Sequence, residues 1–196
     1  MWAWMSGHNL SGQQSVYGEK GVPHPSNVPG ARYNAVGWYD ADAHEIWLFG
    51  GANACACYRF EPNFIRLLTE IHIDMYNGLW KYSIKDSIWT WVGGSNATDA
   101  RPVFGEKGKA DPANIPGARE RAFGAYDSVR REFWLFGGVA TSEDGFCTCP
   151  SLIYINQNIY LIEESIFLVI FMNDLWKYSM EDGLWTWVSG NKSAVK

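Results

Sequence analysis

Two cysteine pairs, Cys55-Ala-Cys57 and Cys147-Thr-Cys149, hold all four thiols of the chain. Four thiolates can bind zinc, and in a secreted protein two pairs can close two disulfides. Structural zinc sites usually space their cysteines Cys-x₂-Cys, whereas both pairs here are Cys-x-Cys. Free loop thiols are therefore the expectation, with the redox state of Cys55, Cys57, Cys147 and Cys149 left open. The four histidines, His8, His24, His44 and His72, share no ligand spacing. Gly105-Glu-Lys-Gly-Lys109 has the Gly-Lys of a phosphate loop but not the Ser or Thr that should follow, and reads as a turn. Asp40, Asp42 and Asp127 sit where hairpin turns are expected. Arg32 and Arg119 each close a Pro-Gly-Ala-Arg turn and are expected to bridge neighbouring strands. Neither a Ser-His-Asp set nor a carboxylate pair stands out. The residues thus nominate no catalytic, cofactor-binding or metal-ligating position, and the chain is expected not to be an enzyme.

Charge narrows the partners. A net charge of −5 and a pI near 5.3 give no attraction to nucleic acid or to an anionic membrane. The longest apolar run, Ile166 to Met172, is too short to span a bilayer. No secretory signal is visible, so the compartment stays unknown. Asn9-Leu-Ser11, Asn96-Ala-Thr98 and Asn191-Lys-Ser193 are glycosylation sequons, but they recur with a repeat and are weak evidence for secretion.

That repeat organises everything else. Tyr17-Gly-Glu-Lys-Gly21 returns as Phe104-Gly-Glu-Lys-Gly108, Pro29-Gly-Ala-Arg32 as Pro116-Gly-Ala-Arg119, and Trp47-Leu-Phe-Gly-Gly51 as Trp134-Leu-Phe-Gly-Gly138. These pairs are 87 residues apart. Leu79-Trp-Lys-Tyr-Ser83 and Trp89-Thr-Trp-Val92 return 96 residues later, at 175–179 and 185–188. Nine residues have therefore entered the second copy after its Gly-Gly. Trp2-Ala-Trp4 with Ser6-Gly7 matches Trp185-Thr-Trp187 with Ser189-Gly190, so residues 1–7 are expected to be a last strand of a preceding unit.

Each copy reads as four short strands. The first runs 32–40 and 119–127, the second 44–50 and 131–137, the third 78–83 and 174–179, the fourth 87–92 and 183–188. Short polar turns join first to second and third to fourth, as hairpins require. Alternation places Trp89 and Trp91 on one side of a strand and Ile88, Thr90 and Val92 on the other. Apolar groups on both faces call for a sheet covered on both sides. An aromatic content of 16% with 11 Trp suits flat packing between sheets. The fold class expected is all-β, with four-stranded antiparallel sheets stacked side by side.

At the paired Gly50-Gly51 and Gly137-Gly138, at Asn173-Asp174-Leu175-Trp176-Lys177-Tyr178 and at the spaced Trp of the fourth strand, the chain resembles the kelch repeat family. It is most similar to kelch proteins whose long repeats carry Trp-Thr-Trp-Val and Asn-x-Pro-Gly-Ala-Arg, a group similar in fold to the central domain of galactose oxidase. The resemblance covers nearly everything outside 52–76 and 139–172. It implies a β-propeller fragment: a terminal strand (1–7), a blade at 29–93 with an insert at 52–76, and a blade at 116–190 with an insert at 139–172. The first copy departs from the pattern with Asn77-Gly78 where the second has Asn173-Asp174. A propeller closes with roughly four to eight blades, so the chain is expected to be an excerpt of a longer protein or a truncated one, ring completion by further copies being the other route. The function implied is a non-catalytic scaffold that binds a protein, or a glycan, through blade loops. The alternative is a fragment of a propeller enzyme, an oxidase or sugar-converting one, with its active site in other blades. None of the Tyr, His and Tyr-Cys copper ligands of such an oxidase maps onto this chain.

The two inserts occupy the same position between second and third strands. Residues 153–162 and 166–171 are β-branched and aromatic, an aggregation hazard if exposed. They are either an elaborated binding loop or sequence foreign to the fold, such as retained intron. The first insert has a weak helical pattern through Ile65, Leu68, Ile71 and Met75.

Overall fold

The computed structural model describes residues 1–61, 64–141, 152–155, 158–161 and 169–192, with the backbone path alone for 54–61, 64–72, 152–155, 158–161 and 169. Its described residues form β-strands and no helix. In chain order these are β1 (Val36–Asp40), β2 (Glu45–Phe49), β3 (Ala52–Glu61), β4 (Phe64–Met75), β5 (Leu79–Ser83), β6 (Ile88–Gly93), β7 (Ala110–Asp111), β8 (Phe123–Asp127), β9 (Glu132–Phe136), β10 (Val139–Thr141), β11 (Leu152–Ile155), β12 (Asn158–Leu161), β13 (Val169–Phe171), β14 (Leu175–Ser179) and β15 (Leu184–Ser189).

The two repeat copies fold as two antiparallel sheets, β1-β2-β5-β6 and β7-β15-β14-β9-β8. Registers coincide: Trp47 faces Lys81 and Trp38 in the first sheet, Trp134 faces Lys177 and Ala125 in the second. The local chemistry explains the hairpins. Asp40 Oδ1 accepts from the amides of Asp42 and Ala43, and Asp127 Oδ1 from those of Val129 and Arg130. Such Asx turns reverse the chain within a few residues.

The sheets pack face to face. Phe133, Leu135, Trp176, Tyr178, Trp185 and Trp187 of the second sheet form one buried cluster with Val36, Trp38, Trp47, Phe49 and Leu79 of the first. Phe49 meets Trp185 edge-on at 5.5 Å, and Phe133 sits between Trp38 and Trp47 at 4.8 and 5.0 Å. Gly124 is needed here, since a Cβ would strike Val36 and the Trp38 indole. The outer face of the second sheet is open, with Phe123 and Phe136 exposed, whereas the other face of the first keeps Trp80, Tyr82 and Trp91 buried, Tyr17 packing on Trp80 and Trp91, and leaves Ile46 exposed. The expectation of cover on both faces therefore holds for much of the first sheet and for one face of the second.

Four local expectations shift. The first strand of each copy begins at 36 and 123, not at 32 and 119, because Asn34 and Arg121 take positive φ (52° and 56°) and turn the chain. Residues 1–7 form no strand, and Trp2 and Trp4 are exposed. A fifth strand, β7, pairs with β15 through Trp185 and Thr186. The helical pattern of the first insert instead becomes β4, paired with β3 from Ala52–Met75 to Glu61–Phe64. A partner strand satisfies every second backbone group, and β-branched Ile65, Thr69, Ile71 and Ile73 favour that state over an isolated helix.

Candidate functional site

The inserts come first, because both lie between second and third strands. The β3–β4 hairpin of the first insert pairs on its far edge with β11 of the second, Leu68 opposite Leu152 and Arg66 opposite Tyr154. β12 completes a four-stranded sheet, β12-β11-β4-β3, built from both copies. A separate pair, β10–β13, closes the base of the second insert from Val139–Phe171 to Thr141–Val169. The two copies are thus joined twice, once through their aromatic interface and once through their inserts.

Cys55 and Cys57 lie on β3, opposite His72 and Glu70. Cys147 and Cys149 lie outside the described residues. His24 Nδ1 bonds Ser26, His44 Nδ1 meets the Tyr39 hydroxyl at 3.3 Å, and His8 is exposed on the N-terminal segment, so these three histidines are not brought together. Among the described residues no three His, Cys, Asp or Glu form a metal-holding group. The 105–109 segment is a turn: Lys109 N–H donates to Glu106 O, Gly108 N–H to Trp187 O, and Lys107 Nζ lies 4.5 Å from the Trp187 ring. Its twin repeats this with Gly21 N–H on Trp91 O and Lys20 over Trp91 at 4.6 Å. Asn9, Asn96 and Asn191 are all exposed.

The two arginines behave unequally. Arg119 is 1% exposed and lies at the centre of a closed network. Its Nε donates to Gly117 O and its Nη1 to Gly137 O, while Nη1 and Nη2 donate to the two carboxylate oxygens of Asp174 at 2.7 and 2.8 Å. Asp174 also accepts from Trp176 Nε1 at 2.6 Å. This fork-to-fork pair ties the Pro-Gly-Ala-Arg turn to the Gly-Gly corner and to β14. Compared with models of known protein families and with curated proteins, the chain matches none.

Arg32 keeps the backbone half of that network, donating from Nε to Gly30 O and from Nη1 to Gly50 O. The acid is missing, since Gly78 stands at the place of Asp174. Nη2 donates instead to Ser15 Oγ, and the guanidinium lies 4.5 Å from the Tyr76 ring. Trp80, fully buried like Trp176, has no partner for its indole N–H. Burial pulls the Arg32 pKa below its ordinary value, with Tyr17 and Tyr76 opposing. Bridging by both arginines follows the sequence reading; the loss of the carboxylate at one of them is where the copies diverge. The signal was present in the sequence as a set. Ser15, Tyr17, Tyr76 and Gly78 stand where the second copy has Pro102, Phe104, Met172 and Asp174.

Proposed function

We propose that the chain is a kelch-type β-propeller segment that works as a non-catalytic binding scaffold, holding a protein or glycan partner on the sheet formed by its inserts. The observation that carries this reading is the pairing of β4 with β11, which makes one surface from equivalent insertions in adjacent repeat units. Insertions between repeated strands gather on one face of a repeat protein, and that face is commonly the binding one. Strand order and register supply the propeller half of the reading, because each copy repeats the same antiparallel sheet and the two stack through aromatic faces.

The test replaces residues 54–73 with a short Gly-Ser turn and compares both proteins on a glycan array and by crosslinking to partners purified with the unaltered chain. Loss of every interaction, with cooperative unfolding of the repeat sheets retained, supports the scaffold. Interactions that survive the replacement, or copper-dependent sugar oxidation by the unaltered protein, overturn it.

A further inference from the structure

The first repeat unit carries a donor set, a buried indole and a part-buried guanidinium, from which the acceptor has been removed. In the second unit the Asp174 side chain fills the space between Arg119 and Trp176, with three charge-assisted hydrogen bonds to them. In the first, Arg32 and Trp80 keep corresponding positions and the side chain between them is gone. A Cβ built on Gly78 would lie 2.9 Å from Trp80 Nε1 and 3.8 Å from Tyr17 Cε1, so the unpartnered N–H points at the place of the missing group. The wall is otherwise preserved: Tyr17 packs on Trp80 at 5.1 Å and 37°, as Phe104 packs on Trp176 at 5.2 Å and 31°. Tyr17 adds a hydroxyl close to the Arg32 guanidinium, outside good hydrogen-bond geometry and without another partner.

A buried donor left without an acceptor destabilises the fold. A part-buried cation whose carboxylate partner has gone also favours an anion beside it. What glycine removes from aspartate is a CH₂–COO⁻ group, which as a free molecule is acetate. We propose that the first unit binds a small free carboxylate, acetate or formate, between Arg32 and Trp80, in the place that Asp174 occupies in the second. The carboxylate lies in the guanidinium fork, with one oxygen accepting from Trp80 Nε1. Arg32 and Tyr17 are only part-buried, so the guanidinium is not sealed from solvent. The inference is independent of any partner bound by the inserts.

The test labels the tryptophans with ¹⁵N and follows indole N–H resonances in the full chain during titration with acetate, then formate, at constant ionic strength. Trp80 is assigned through Trp80→Phe. Expected is a saturable downfield shift of the Trp80 resonance at millimolar acetate, with Trp176 unmoved. Gly78→Asp supplies the carboxylate covalently; Gly78 does not need positive φ, and the Trp80 indole, 2.9 Å from the new Cβ, must shift to admit it. In that variant Trp80 should resonate near Trp176 and ignore acetate. A Trp80 resonance in the unaltered chain that never responds to either ion overturns the proposal, whether or not the variant folds. An equal response in the folded Gly78→Asp protein overturns it too.

Discussion

Trp38 of the first sheet lies on Phe133 of the second, with ring centroids 4.8 Å apart and planes 19° from parallel. Phe133 also touches Trp47, Tyr126 and Tyr178, so one side chain joins both units. Phe123 stands one strand away on the same sheet and is 69% exposed. Phe133→Ala is expected to cost about 3–5 kcal/mol by transfer and cavity terms together. Phe123→Ala should change stability by less than about 0.5 kcal/mol, as exposed positions do. Urea unfolding of the two variants gives the comparison. Similar losses would mean that the inter-sheet cluster does not hold the units together.

Acid should weaken the same junction through Asp40. Burial works to raise its pKa, but the Ala43 and Asp42 amides and the Arg131 guanidinium prevail, holding the carboxyl below the ordinary value. Arg131 belongs to the second unit and donates to Asp40 Oδ2 at 3.0 Å. A depressed folded pKa gives stability that is present above the unfolded value, near 3.9, and is lost as pH falls through the folded one. Asp40→Asn should lower Tm by roughly a few degrees at neutral pH and flatten the acid limb of the stability curve. Thermal melts between neutral and strongly acidic pH check this; an unchanged acid limb would remove Asp40 from the account.

Alkali acts on the other side of the interface. Desolvation pushes the Tyr178 phenol up to about 12, since the ring is buried between Phe133, Trp47 and Trp185. The unfolded chain releases this proton first, near pH 10, so stability falls by up to about 2–3 kcal/mol between pH 10 and 12. Tyr178→Phe should remove that part of the fall. Denaturant midpoints across this pH range decide it, and an identical alkaline fall in the variant would place the titrating group elsewhere.

The sheets were legible because their signals repeat. Trp-Leu-Phe-Gly-Gly and Leu-Trp-Lys-Tyr-Ser each occur twice, and chance does not reproduce several motifs in one order. The ends of strands were harder to read: Asn34 is of a type that reaches positive φ more readily than most, but most asparagines do not adopt it, and Arg121 at the matching place in the second copy gives no such sign. The first insert misled because apolar residues spaced three and four apart also fit a strand once another strand lies beside it. That pairing is non-local, and a window of sequence contains no trace of it. The divergence at Gly78 was visible as a letter but not as chemistry, because its meaning depends on Arg32, some 46 residues earlier in the chain.

That divergence also sets the last expectation, which concerns Asp174. Replacing it with glycine leaves Arg119 buried with only Gly117 O and Gly137 O as acceptors, and leaves Trp176 Nε1 unpartnered. Breaking a buried ion pair from one side costs about 3–5 kcal/mol. The first unit nevertheless folds around the same vacancy, with Tyr17 and Tyr76 beside the cation where the second has Phe104 and Met172. Adding Phe104→Tyr and Met172→Tyr to Asp174→Gly should therefore recover part of the loss, although each tyrosine alone in the unaltered protein places a hydroxyl against a satisfied network and is destabilising. Residues that share one network are not additive, and a double- or triple-mutant cycle measures the coupling. Chemical denaturation of the single, double and triple variants supplies the cycle. If the tyrosines weaken the Asp174→Gly protein as much as they weaken the unaltered one, the hydroxyls do not compensate for the carboxylate, and the first unit tolerates Gly78 for another reason.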